Sequence, residues 1–323
     1  MSELSAEQWT VDRRRRQLIA GAAALAAAPL LSTPRRVRAQ GVSLETARLR
    51  DDVAVIFGPD SNAPVCDASD GIVLIDGGHE RWARQLLETA DDLFPGRPIR
   101  ALVNSHWHRE QTGANLILGP QGTEIVAHEN TRLWLGIDIR QRWSGQTFEP
   151  LPADARPVTA LHDDTAIQFG DRVFDFGYML HAHTDGDIWT GIPDADVLAT
   201  GGVVSNAGWP IVDWWTGGWI VGLLNGLDRL VEASGDDTLI VPGSGPLMTR
   251  EDLLAQREMY NTIFDRLQEM LRDARSADEV VAARPTAEYD EGRGDPELFL
   301  RLAFESMNRH LRDVHDRRLG NIA

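Results

Sequence analysis

Hydrophobic and polar residues alternate along the chain in short segments that predict strands and helices in turn. Apolar runs rich in β-branched residues and bounded by Gly, Pro or Asp predict buried strands over residues 52–57, 71–76, 99–104, 124–127, 172–176, 197–200 and 238–241. Apolar residues at helical spacing predict helices over residues 80–93, 218–233, 251–275 and 296–312. Strands interleaved with helices favour an α/β sandwich that ends in helical additions.

The first 39 residues have the pattern of a targeting segment. Residues 13–16 are all arginine, residues 18–31 form an apolar run, and residues 37–39 (Val-Arg-Ala) offer a small-x-small cleavage site. Such a run rises about 21 Å as a helix, short of the ~30 Å hydrocarbon core of a membrane. We therefore expect a cleaved signal peptide and no stable membrane span. A basic leader that is amphipathic or disordered remains the alternative.

The arginines of this segment also suggest an export route. Paired arginines ahead of an apolar run resemble the twin-arginine signal, although the polar Gln17 follows them directly. Twin-arginine cargo is generally exported folded. We expect the twin-arginine export machinery as a partner during secretion, and a periplasmic or otherwise exported mature protein.

Composition narrows the chemistry. The chain has 323 residues, of which 42% are hydrophobic, and its formal charge is −17. All 32 basic residues are arginine, so Schiff-base chemistry, a Walker-A phosphate loop and a Ser–Lys nucleophile pair are excluded. Strong negative charge also argues against nucleic acid as a partner. With one cysteine, Cys66, a metal would have to bind histidines and carboxylates.

Residues able to carry chemistry occur in three places. His106 and His108 follow a predicted strand at i and i+2, His183 lies in a Gly-rich stretch, and residues 242–246 (Pro-Gly-Ser-Gly-Pro) follow another strand. Three imidazoles with an open fourth position are typical of a catalytic zinc site. A His-x-His pair by itself is also compatible with ordinary core or surface histidines.

Taken in order, these segments resemble the metallo-β-lactamase superfamily. That family has an αββα sandwich and the motifs His-x-His-x-Asp-His, His-Thr-x-Gly-Asp, Gly-Asp and Pro-Gly-His-Gly-Pro, and residues 76–78 (Asp-Gly-Gly) fit its early Asp-Gly turn. The resemblance implies a metallo-β-lactamase-like domain over residues 40–250, with C-terminal helices over residues 251–323 packed on the same domain.

The departures from the family pattern concern its second metal. The resemblance places His106, His108 and His183 as ligands of the first metal. Where the family has Asp-His, Gly-Asp and a late histidine, this chain has Glu110-Gln111, Gly201-Gly202 and Ser244. We therefore expect a mononuclear site, with about one zinc ion per chain.

Two functional interpretations follow from this resemblance. In the first, the protein is an exported zinc hydrolase of a small-molecule ester, thioester, lactone or amide, with Glu110 as general base. Asp187 would be a supporting carboxylate that orients a ligand or loop, although an Asx-turn explains it as well. In the second, the site is degenerate and binds a metal or an apolar ligand without turnover.

Tryptophan is concentrated in one part of the chain. Five of the ten tryptophans lie within 31 residues, namely Trp189, Trp209, Trp214, Trp215 and Trp219. They could line an apolar substrate pocket. Packing of the Gly-rich loop against the sheet explains them equally well.

Overall fold

The computed structural model describes residues 35–38, 43–58 and 60–320. Its strands are β1 Arg35–Arg38, β2 Ser43–Arg48, β3 Val53–Phe57, β4 Asn62–Ala68, β5 Gly71–Ile75, β6 Ile99–Asn104, β7 Glu124–His128, β8 Ile139–Arg140, β9 Thr147–Phe148, β10 Thr159–Leu161, β11 Thr165–Phe169, β12 Arg172–Met179, β13 Asp187–Ile192, β14 Val197–Ala199 and β15 Leu239–Val241. Its α-helices are α1 Glu80–Leu93, α2 Arg109–Thr112, α3 Asn115–Leu118, α4 Glu129–Trp134, α5 Ile220–Ala233, α6 Arg250–Arg272, α7 Ala277–Ala283 and α8 Glu297–Gly320.

Two large sheets organise the molecule. The first has the order β1-β2-β3-β4-β5-β6-β7-β10 and the second the order β11-β12-β13-β14-β15, while β8 and β9 form a separate hairpin. Strands β5, β6, β7 and β10 run parallel to one another, as do β14 and β15. Their carboxyl ends therefore lie at one edge of each sheet, where the connecting loops converge.

The sheets pack face to face, and helices cover both outer faces. In β5, Val73 and Ile75 join the core between the sheets, while Leu74 faces the outer core beneath α1. Because successive side chains of a strand point to opposite faces, a strand buried on both sides reads as a continuous apolar run. On the far face of the second sheet, helices α5, α6 and α8 share one core. The expected αββα sandwich with C-terminal helices is confirmed.

Several strands were not expected from the pattern. Strand β4 contains Asn62, Pro64 and Asp67, yet Pro64 pairs with Val55 of β3 in register. Strand β13 begins at Asp187, inside the stretch that looked like a Gly-rich loop. In both cases pairing with two neighbouring strands overrides a weak local preference.

The predicted leader lies mostly outside the described residues. Its last described part, Arg35–Arg38, is the edge strand β1, which pairs antiparallel with β2. In the described part of the chain, no helix combines the length and apolar character that a membrane span needs.

Candidate metal centre

The segment after β6 is fixed by a buried carboxylate at the end of β5. Asp76 has a left-handed backbone conformation (φ 59°) and accepts hydrogen bonds from the backbone N–H and the hydroxyl of Ser105, both at 2.8 Å. Burial raises the pKa of Asp76 to about 7, although both Ser105 bonds oppose the shift. The turn that carries His106 and His108 is thereby held against the neighbouring strand.

His183 lies in the loop between β12 and β13, and Asp187 shapes that loop. The Asp187 carboxylate accepts hydrogen bonds from the backbone N–H of Thr184 at 2.7 Å and from its hydroxyl at 3.0 Å. Burial raises the pKa of Asp187 well above its usual value. Asp187 thus fixes the residue that follows His183, whereas its predicted catalytic role stays a prediction.

Three histidine nitrogens face one another at the converging loop ends. His183 Nε2 lies 3.1 Å from His106 Nε2 and 2.9 Å from His108 Nδ1. All three side chains are buried, and their ligand atoms lie within 4.8 Å of one another. Two imidazoles on a tetrahedral zinc ion, at about 2.0–2.1 Å each, have nitrogens about 3.3 Å apart. The two separations from His183 Nε2 are thus within a few tenths of an ångström of that value.

The opposite nitrogen of each ring has an acceptor. His183 Nδ1–H donates to the Ile211 carbonyl at 2.6 Å, and His108 Nε2–H donates to the Asp213 carboxylate at 3.2 Å. His106 Nδ1–H donates at 2.9 Å to the hydroxyl oxygen of Ser105, whose own proton goes to Asp76. Each ring therefore keeps its proton on the outer nitrogen and turns a lone pair inward.

This arrangement leaves three lone pairs facing each other with no proton between them. Burial, reinforced by the neighbouring imidazoles, holds the pKa of His106 well below its usual value. The same burial, with His108 beside it, lowers the pKa of His183 to about 3. Because three lone pairs converge on one point, a metal cation is the partner that suits this donor set, and the cluster is compatible with metal binding.

Asp213 was not singled out in the sequence. It is buried, its Oδ2 atom accepts the Thr216 hydroxyl at 2.5 Å, and Thr216 in turn accepts the Trp107 indole N–H at 3.0 Å. Its backbone N–H donates to the His183 carbonyl at 2.9 Å. Asp213 is therefore hydrogen-bonded to His108 through its side chain and to His183 through its backbone. It belongs to no sequence motif that would have identified it.

Three of the positions where the family has second-metal ligands carry no ionisable group here, namely Gln111, Gly202 and Ser244. Gln111 is buried, and its Oε1 atom has no hydrogen-bond partner in the described chain. The Ser244 hydroxyl lies 3.0 Å from that of Ser205. A Cβ atom on Gly202 would lie 2.5 Å from His183 Cδ2 and 2.7 Å from His106 Cε1. Among the described residues, the ligand group comprises the three histidines and excludes Glu110.

Some tryptophans pack against the C-terminal helices, and one lies beside the histidine cluster. Trp209 stacks on Phe299 of α8 with ring centres 5.1 Å apart, and Trp214 donates its indole N–H to Glu305. Packing therefore explains these two members of the cluster. Trp143, outside the cluster and missed from the sequence, lies between β8 and β9 and meets the His108 ring edge-on at 5.9 Å.

Comparison with known proteins agrees with this geometry. The family model described as "Metallo-beta-lactamase superfamily" matches residues 60–259. A metallo-beta-lactamase type 2 of Bacillus cereus is 28% identical over 199 residues, which cover 60% of this chain and 70% of that protein.

Solved structures share the fold at low identity. The metallo-beta-lactamase from Pontibacter korlensis gives a TM-score of 0.52 at 17% identity and covers 71% of this chain and 99% of its own. The inverting sec-alkylsulfatase Pisa1 from Pseudomonas sp. gives 0.61 at 18% identity and covers 80% of this chain but 49% of its own. At such identities the likeness shows the fold alone.

Proposed function

Because the chain belongs to the metallo-β-lactamase superfamily, we propose that it is a mononuclear zinc hydrolase with His106, His108 and His183 as its metal ligands. The observation that carries the proposal is the set of three buried, inward-facing lone pairs, each fixed by a bond to the outer nitrogen. A bound zinc ion supplies Lewis-acid polarisation of the substrate and activation of water.

Glu110 is the general base of the proposed reaction. It lies in the first turn of α2, two residues after His108, and is half-buried. In the part of the chain that the structure describes, its carboxylate makes no hydrogen bond or ion pair, so its oxygens are available to take a proton from water. General acid–base catalysis of this kind contributes roughly 10²–10⁴-fold. Asp187 supports the reaction indirectly, by holding the loop of His183.

The substrate is a small molecule with a hydrolysable bond. Trp143 contributes an aromatic surface beside His108, and aromatic walls with few polar groups are typical of small-molecule sites. Esters, thioesters, lactones and amides are the proposed bond types. A secondary alkyl sulfate belongs in the same comparison because one structural neighbour is a sec-alkylsulfatase.

Zinc-dependent hydrolysis tests this function. The full-length protein is freed of metal with a chelator, reloaded with zinc, and assayed with one chromogenic compound for each bond type. We expect at least one compound to be hydrolysed by the reloaded protein and not by the metal-free protein or by His183→Ala. Zinc binding without turnover of any compound would favour the binding protein, a function supported by the absence of ligand side chains at Gly202 and Ser244.

Export by the twin-arginine route is a separate proposal. It rests on residues 13–16, the apolar run over residues 18–31 and the small-x-small site at residues 37–39. Changing residues 13–16 to lysine keeps the charge and removes the guanidinium groups. We expect this variant to keep its leader, whereas the unaltered chain should appear with an N-terminus near Gln40. Normal processing of the lysine variant would indicate another route.

A further inference from the structure

The segment over residues 204–219, here called the tryptophan loop, carries two of the groups that orient the metal ligands. The Ile211 carbonyl accepts from His183, and the Asp213 carboxylate accepts from His108. Within the described chain, its one β-contact is an isolated bridge between Ser205 and Ser244. Backbone hydrogen bonds tie the loop to the His183 segment, from the Asp213 N–H to the His183 carbonyl and from the Asp185 N–H to the Thr216 carbonyl, both at 2.9 Å. Because no strand ladder holds the loop, contacts from the C-terminal helices add to these bonds in fixing its position.

Helix α8 supplies two polar contacts to the chain that follows Asp213. Glu305 Oε2 accepts the indole N–H of Trp214, the residue after Asp213, at 3.1 Å. Ser306 Oγ accepts the backbone N–H of Ile220, where α5 begins, at 3.2 Å. The Ser306 hydroxyl proton is already donated to the Ala303 carbonyl at 2.6 Å, which leaves the oxygen free to accept.

Aromatic packing fixes the other half of the loop. Trp209 lies parallel to Phe299 of α8, with an angle of 13° between the rings, and contacts Tyr260 of α6 edge-on at 6.3 Å. Gln256 of α6 donates its amide to the Ser205 carbonyl at 3.0 Å. Helix α8 lies beyond residues 60–259, the part that matches the family. The contacts from α8 therefore come from the C-terminal extension, whereas Gln256 lies within the matched part.

We propose that α8 is a working part of the metal centre, with Glu305 and Ser306 as positioning residues that fix Asp213 and the Ile211 carbonyl and so set the affinity for zinc. The inference rests on the proposed zinc site. Removing the direct partner of a metal-ligating histidine costs about 10–100-fold in metal affinity. Because Glu305 acts through one intervening residue, its loss should cost less, about 3–10-fold.

The experiment measures zinc affinity in the full-length chain by competition with a chromophoric chelator. The variants are Glu305→Ala and Ser306→Ala, and the matched control is Glu297→Ala, which removes a carboxylate paired with Arg301 on the same helix. We expect the first two to weaken zinc binding about 3–10-fold, with the control unchanged. The visible spectrum of the cobalt(II)-loaded protein should shift in the same two variants, because it reports ligand geometry.

Coupling to Asp213 separates positioning from general stability. In an Asp213→Asn background, Glu305→Ala should lose most of its effect on zinc affinity, since both act on the same histidine contact. Glu305→Gln keeps an acceptor oxygen for Trp214 and should restore the affinity of the unaltered chain.

Three outcomes would overturn the inference. A lower melting temperature in Glu305→Ala with unchanged zinc affinity and cobalt spectrum would reduce α8 to a structural support. A full effect that persists in the Asp213→Asn background would exclude action through Asp213. If the unaltered chain binds zinc and neither Glu305→Ala nor Ser306→Ala changes the affinity, this inference alone is refuted, whereas a chain that binds no zinc refutes the proposed function as well.

Discussion

The three-histidine cluster and the flanking positions Gln111, Gly202 and Ser244 differ in what their atoms offer a cation. In the cluster, each inward-facing ring nitrogen offers a lone pair, and each outward-facing ring nitrogen donates a hydrogen bond. At the flanking positions, Gln111 offers a neutral amide, Gly202 has no side chain, and the Ser244 hydroxyl is hydrogen-bonded to the hydroxyl of Ser205. A metal centre therefore depends on the contacts behind the ligands as much as on the ligands themselves.

The comparison has a steric side too. Gly202 leaves space directly beside the rings of His106 and His183, where a Cβ atom would come within 2.7 Å of both. In this arrangement the glycine is part of the close packing of the cluster. Restoring the family's aspartate at Gly202 would therefore require both rings to move, a cost that the sequence pattern did not reveal.

The largest effect is expected from removing a ligand. His183→Ala leaves two imidazoles, and we expect zinc content to fall from about one ion per chain to near zero at micromolar zinc, because structural and catalytic sites need at least three protein ligands. Elemental analysis after dialysis measures this. Ser244→Ala is the matched control and should retain its zinc; equal loss in both variants would contradict the ligand assignment.

Next in size is the loss of the proposed base. Glu110→Gln keeps the shape and hydrogen-bonding capacity of the side chain but removes the basic oxygen. We expect kcat/KM for a hydrolysed substrate to fall roughly 10²–10⁴-fold, with zinc content unchanged. Full activity with zinc still bound would exclude Glu110 as the base.

A smaller loss should follow when the carboxylate behind His108 is replaced. Asp213→Asn keeps the size of the side chain but weakens the acceptor for His108 Nε2–H. Zinc affinity should fall about 10–100-fold, as is usual for such partners. Competition with a chelator measures the dissociation constant, and Asp228→Asn, which neutralises a carboxylate paired with Arg257, serves as the control. An unchanged dissociation constant for Asp213→Asn would show that the contact does not tune the site.

The smallest effect concerns the packing beside the cluster. Gly202→Ala places a Cβ atom 2.5 Å from His183 Cδ2, so the ring must shift. Overpacking of this kind costs about 1–3 kcal/mol in the free energy of unfolding, which chemical denaturation of the metal-free protein measures. Gly235→Ala, whose nearest added contact is 3.6 Å away, is the control. Equal stability of the two variants would show that a Cβ atom at position 202 fits beside the histidine rings without cost.

The sequence predicts the frame of the fold because its buried strands and long helices have strong patterns. Strand β5 and helix α1 follow directly from apolar periodicity, and α6 begins at a capping box formed by Thr249 and Asp252. The sequence does not predict strand β13 because Asp187 and Gly191 are poor strand formers. Its register comes from pairing with β12 and β14.

The residues of the candidate site also fall into those that the sequence predicts and those that it does not. The histidines are visible because their order and spacing carry a motif. Asp213, the Ile211 carbonyl and Trp143 are invisible, since they reach the cluster through a loop and a hairpin that only the folded chain brings together. A backbone carbonyl in particular leaves no trace in residue identity.

The most direct test of a one-metal centre is the zinc stoichiometry of the purified full-length protein, loaded with excess zinc, passed through a desalting column and measured by elemental analysis against protein concentration. The account predicts one zinc ion per chain, held by His106, His108 and His183. Two zinc ions per chain would mean that a second ion binds although Gln111, Gly202 and Ser244 offer it no ionisable side chain. No bound zinc would mean that the three histidines do not form a metal site.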